Sequence, residues 1–216
     1  QRGAARPGGS ACDAGAVEVQ ACGDQFADVA TLHLFCAEIG WMAEAGISTG
    51  FEPGPTYRPS VAVSRGAMSA FMYRLAGSPP FADPASATFG DVAAGHPFFT
   101  EVEWMAAEGI TTGTPAAPKP LYKPGAAVSR GAMSAFMFRL AEAPEVELPP
   151  SSTFADVGPS HPFFTEVEWM AAEGITTGTP GTPKPSYKPS QAVSRQAMSA
   201  FMFRLADGHL PLASAL

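Results

Sequence analysis

The sequence predicts a mainly α protein built from three tandem helix-loop-helix repeats, and three observations carry that prediction. The segment Val63-Ser64-Arg65-Gly66-Ala67-Met68 returns as Val128-Ser129-Arg130-Gly131-Ala132-Met133 and as Val193-Ser194-Arg195-Gln196-Ala197-Met198. Each copy opens a stretch with apolar residues at helical spacing, as in Met133, Phe136, Met137 and Leu140. Each copy also follows a segment such as 111–128, where Gly113, Pro115, Pro118, Pro120, Pro124 and Gly125 forbid a continuous helix.

The second helix of each unit is therefore expected to start at the recurring segment. Ser129 suits an N-cap, because its hydroxyl can accept from an unpaired N–H of the first turn. Val128 before it and Met133 after it fall at the two positions of a hydrophobic staple. Arg130 follows the cap, beside a helix end that is already electropositive, where it gains nothing from the dipole. An anion is the expected partner, from this chain or from a ligand. This helix should run from Arg130 to about Leu140, with Arg139 in its last turn and Arg74 and Arg204 as counterparts.

The first helix of each unit is expected from segments such as His96–Ile110. Pro97 fits the first helical position, and Gly109 fits a left-handed C-terminal position with Ile110 folding back over the last turn. Phe98, Val102, Met105 and Ala106 mark its buried face.

Taken in order, residues 1–25 read as an irregular arm. The repeats occupy 26–76, 89–141 and 154–206, and 207–216 form a tail. The repeats open on Phe26-Ala27-Asp28-Val29, Phe89-Gly90-Asp91-Val92 and Phe154-Ala155-Asp156-Val157. A tryptophan follows in each (Trp41, Trp104, Trp169), then Gly-Ile, then a further glycine, then a tyrosine (Tyr57, Tyr122, Tyr187) two residues before a proline. The segments 77–88 and 142–153, rich in Pro, Ser, Ala and Glu, are linkers.

Composition narrows the partners. A net charge of −7 over 216 residues argues against nucleic acid and against an anionic membrane surface. No stretch approaches the roughly 18 to 20 apolar residues of a membrane span. The chain starts at Gln1 without a charged-then-apolar leader, as expected of a mature form whose signal peptide has been removed. Cys12, Cys22 and Cys36 allow one disulfide in any of three pairings. Cys12 with Cys22 is the local choice, and Cys22 with Cys36 would pin the arm to the first repeat.

Phe-x-Asp-Val, Trp, Gly-Ile-x-x-Gly, Tyr-x-Pro and hydroxyl-Arg before an apolar helix, in that order and three times over, resemble the S-layer homology domain. The resemblance spans residues 26–206. It implies pseudo-threefold packing of the repeats around a central helical bundle. It also implies grooves between repeats that bind an acidic cell-wall glycan, often pyruvylated, on a secreted, cell-wall or cell-surface protein. The family's usual Thr-Arg-Ala-Glu becomes Ser-Arg here, with Ala67, Ala132 and Ala197 in place of the glutamate. Losing that glutamate removes one half of a capping box, worth about 1 kcal/mol, and one negative neighbour of the arginine.

The candidate ligand-binding residues are Arg65, Arg130 and Arg195, whose planar guanidinium suits a carboxylate. The competing reading pairs them with Asp28, Asp91 and Asp156, which belong to the same candidate set. Trp41, Trp104 and Trp169 are either sugar platforms or core, and helical spacing beside Met and Phe favours core. Tyr57, Tyr122 and Tyr187 either stack on ligand or anchor their loops by capping a backbone group. His33, His96 and His161 occupy equivalent positions, but each reads as a surface cap rather than a metal ligand.

No cofactor and no metal are called for, and the chain is read as non-catalytic. The carboxylate pair Glu101 and Glu103 points to different sides of a helix. Two other readings remain: a structural or partner-binding subunit of an extracellular assembly, and the anchor part of a larger secreted enzyme. The methionines Met68, Met72, Met133, Met137, Met198 and Met202 would supply adaptable contact surfaces if exposed.

Overall fold

A computed structural model describes residues 25–208. It contains helices α1 (Cys36–Glu44), α2 (Arg65–Leu75), α3 (Phe99–Ala107), α4 (Arg130–Leu140), α5 (Phe164–Ala172) and α6 (Arg195–Gly208). Among the described residues β structure is confined to isolated bridges. The protein is mainly α, with two helices per repeat. Helix α6 runs two residues past the expected end of the third repeat at 206.

The recurring segment starts a helix in all three copies. Ser64, Ser129 and Ser194 accept from the N–H of Ala67, Ala132 and Ala197 at 3.1, 3.2 and 3.4 Å. Val63, Val128 and Val193 are buried together with Met68, Met133 and Met198, so the staple is closed in each repeat.

The first helices start later than the sequence predicts. Helix α3 begins at Phe99, and Pro97 lies before it in a turn. The Phe98 N–H donates to His96 Nδ1 at 3.1 Å and the Phe99 N–H to the His96 carbonyl at 3.0 Å. Histidine thus holds the turn that the proline was expected to open. The C-terminal end follows expectation: Ile110 N–H reaches the Met105 carbonyl at 2.8 Å and Gly109 N–H the Ala106 carbonyl at 3.1 Å. That pair of bonds is a Schellman motif, and Gly109 supplies its left-handed residue with φ 68°.

The buried face of α3 also differs from expectation. Phe99, Val102, Glu103, Trp104 and Met105 are buried, while Phe98 and Ala106 are half-buried. All six methionines of the second helices are 0% exposed. They fill the core, so the exposure on which a contact-surface role depended is not met. Cys36 is disulfide-bonded. The alternative Cys12–Cys22 pairing, the arm apart from Gln25, and the tail beyond Gly208 lie outside the described residues.

The repeats meet through a relay of equivalent contacts. Val63 N–H donates to the Val193 carbonyl, Val193 to Val128, and Val128 to Val63, at 2.9, 2.8 and 2.9 Å. Three bonds thus return to their starting residue. Helix pairs follow the same order: α2 packs on α3, α4 on α5, and α6 on α1. One apolar cluster draws residues from all three repeats, including Met72, Met137 and Met202.

Candidate functional site

Each site begins with the aspartate of the opening motif. Asp91 accepts the Tyr122 N–H on Oδ1 and the Lys123 N–H on Oδ2, both at 2.7 Å. Two adjacent backbone donors held by one carboxylate fix the loop, with Lys123 at a positive φ of 60°. Asp28 and Asp156 hold Tyr57 with Arg58, and Tyr187 with Lys188, at the same distances. Among the described residues these aspartates make no ion pair with the recurring arginines. The ion-pair expectation therefore gives way to a loop-fixing role.

The fixed loop then delivers its tyrosine to the next element. Tyr122 is 0% exposed, and its hydroxyl donates to the Arg65 carbonyl of the preceding repeat at 2.9 Å. Arg65 Nε returns a bond to the Tyr122 carbonyl at 2.5 Å. Arg130 and Tyr187 repeat the pair, as do Arg195 and Tyr57 across the junction of the third repeat with the first. Buried rings cannot stack on a ligand, so the three tyrosines act as anchors. Burial pushes their phenols up to about 12, against a partial lowering by the arginine alongside.

The arginines sit over aromatic faces. Arg65 is 4.6 Å from the ring centre of Tyr122 and 5.3 Å from that of Phe136. Arg130 is 4.6 Å from Tyr187 and 5.1 Å from Phe201. Burial lowers each guanidinium below its usual range, and the adjacent tyrosine and aspartate partly restore it. All three remain cationic at physiological pH. For Arg65 and Arg130 only Nε is bonded among the described residues, leaving the two terminal nitrogens for another acceptor.

The tryptophans close the seams between repeats. Trp104 meets Tyr73 edge-on at 5.3 Å, Trp169 meets Phe138 at 5.4 Å, and Trp41 meets Phe203 at 5.4 Å. Each pair joins neighbouring repeats. Trp104 and Trp169 are buried and Trp41 is half-buried, which is the core alternative. His33, His96 and His161 each use Nδ1 to accept an N–H two residues ahead.

A cavity of about 380 Å³ lies at Arg130. Its walls come from Leu34 and Phe35 just before α1 with Glu38 in its first turn, one face of α6 (Ala197, Phe201, Arg204) and the Thr176-Thr177-Gly178 turn. Arg204 is a residue that sequence reasoning treated only as a helix end. Its Nη1 donates to the Ile175 carbonyl at 3.0 Å, and Arg74 and Arg139 do the same to Ile47 and Ile110. The i+29 or i+27 spacing of these bonds had no signal beyond recurrence. Glu103 and Glu168 were also missed: both are buried and accept the N–H of Thr88 and Thr153 at 2.8 Å.

The cavity brings together Arg130 and Arg204, Thr176 and Thr177, and the rings of Phe35 and Phe201. That inventory suits recognition of an anion on a partly apolar scaffold. The whole chain has no significant match among curated proteins. The family profile of the S-layer homology domain matches residues 25–69, 88–134 and 153–199. With three tandem matches over most of its length, the chain belongs to the S-layer homology family of cell-surface binding modules.

Proposed function

We infer that the chain is a non-catalytic anchor that holds an acidic cell-wall glycan without a covalent bond, in grooves between its repeats. One observation carries the reading: Arg130 lines a cavity of about 380 Å³, and both terminal nitrogens of its guanidinium are unpartnered among the described residues. A planar donor fork of this kind matches a carboxylate in two parallel hydrogen bonds. Phe35, half-buried in the cavity wall, supplies an apolar surface for a sugar face or a ketal methyl group. The net charge of −7 opposes long-range attraction of a polyanion. Recognition is therefore local, and repetition along a polymer supplies avidity.

The test is co-sedimentation of the chain with purified wall polymer, compared with the Arg65→Ala/Arg130→Ala double variant. Arg195 is left intact because its guanidinium is buried in the fold. Retention of the unaltered chain and release of the variant is the expected result. Equal retention of both would remove the arginines from the binding site, and no retention of either would remove the glycan.

A further inference from the structure

The relay of contacts makes three grooves formally equivalent. Each combines the arginine of one repeat, the second helix of the next, and the start of the following first helix. Three substitutions make them unequal.

At Arg195 the groove is covered. Phe51 stands where the other repeats carry Thr114 and Thr179, and its ring centre lies 4.7 Å from the guanidinium. Ser48, in place of Thr111 and Thr176, takes Arg195 Nη2 on its hydroxyl at 3.0 Å. The two threonines instead accept a glycine N–H of their own turn. Arg195 is left 4% exposed, while Arg65 and Arg130 are half-buried.

The difference between Arg65 and Arg130 lies in the facing helix. Phe163 rests on Gly131 beside Arg65, and Phe98 rests on Gly66 beside Arg195, so closely that a Cβ on either glycine would fall 2.4 Å from the ring. The facing helix at Arg130 carries Gln196 at this position. Phe35 cannot adopt the same seat over a residue that has a Cβ, and the cavity opens there. Arg130 and Arg204 bring two positive charges to its walls and Glu38 one negative.

We propose that the three grooves of this chain are unequal: the one at Arg130 is the principal ligand groove, and Arg195 is a sealed structural cation. The inference rests on the glycan-binding reading for its ligand, but not for the sealing of Arg195. One net positive charge on the walls matches one carboxylate better than a doubly charged phosphate. An acidic sugar of the glycan proposed above would place its carboxylate on the terminal nitrogens of Arg130, with Phe35 beside the ring.

Two measurements test this separately. The first is peptide mapping of phenylglyoxal adducts in the unaltered chain, which needs no ligand. Arg130 should react and Arg195 should stay protected, and Phe51→Thr should expose Arg195. Reaction of Arg195 at the rate of Arg130 would overturn the sealing.

The second is NMR titration with methyl glucuronide, a pyruvyl-ketal methyl glucoside and neutral methyl glucoside, alongside wall-polymer binding. Arg130→Ala should weaken polymer binding by about tenfold or more, and Arg65→Ala by clearly less. Gln196→Gly, which lets Phe35 close down, should weaken it as well. The two acidic sugars distinguish a uronate from a ketal as the source of the carboxylate. Polymer binding lost equally in the Arg65 and Arg130 variants would overturn the principal groove. Polymer binding with no response to either acidic sugar would overturn the ligand class and leave the anchor role standing.

Discussion

Arg65 and Tyr122 hold each other by two hydrogen bonds in opposite directions: the phenol donates to the arginine carbonyl and the guanidinium Nε to the tyrosine carbonyl. The residues belong to different repeats and are 57 positions apart. One candidate binding residue and one candidate stacking residue are thus a single joint between repeats, with only the outer edge of the guanidinium left for a ligand.

Removing the hydroxyl should loosen that joint. Tyr122→Phe leaves the ring stack intact and strips the Arg65 carbonyl of its buried donor, at a cost of about 1 to 2 kcal/mol. Chemical denaturation should show a lower midpoint with an unchanged slope.

Alkali should unfold the protein steeply. The phenols of Tyr57, Tyr122 and Tyr187 are pushed up to about 12 in the fold, against an ordinary value of 10.0. Above pH 10 the unfolded chain loses protons that the folded chain keeps, so stability falls as pH rises and continues to fall until about 12. Each phenol contributes about 1.4 kcal/mol per pH unit and the three together about 4. Circular dichroism against pH, with tyrosinate absorbance recorded in parallel, should show ionisation and unfolding together.

The aspartates should matter for folding more than their exposure suggests. Asp91→Ala frees two backbone N–H groups from a charged acceptor and should cost about 2 to 3 kcal/mol. Asp91→Asn keeps an acceptor for one of them and should recover part of the loss. Thermal melts of the two variants check the order.

Gly131→Ala should displace Phe163. The added methyl gains helix propensity but overlaps the ring, for a net loss of about 1 kcal/mol. Gln196→Ala at the corresponding position adds no Cβ, so it carries no such penalty. Comparing the two melting temperatures checks the reason given for the open cavity.

Much of the fold could be read from residues close together in sequence. Ser129 as cap, Val128 with Met133 as staple, and Gly109 as left-handed terminator all act within one helical turn, so their spacing is their signal. The tyrosine–arginine joints act across 57 or 138 positions, and nothing local to Tyr122 names Arg65 as its partner. Glu103 was illegible for a related reason: its acceptor role depends on the Thr88 N–H, 15 positions away in the linker, and nothing beside it in the helix names that donor. Phe51 and Gln196 each depart from the repeat at one position. Their effect on a groove depends on which repeat faces which, information that only the three-dimensional relay contains.

The three valine bonds bear on copy number. In an open stack of repeats the two ends expose unsatisfied faces and need special capping units, and the stack can lengthen. Here Val63, Val128 and Val193 leave no end, because the first repeat covers the third. A fourth unit would have no face to join without breaking one of the existing bonds. Three is therefore a geometric ceiling for this arrangement, and a longer tandem of such sequences would have to form separate trios.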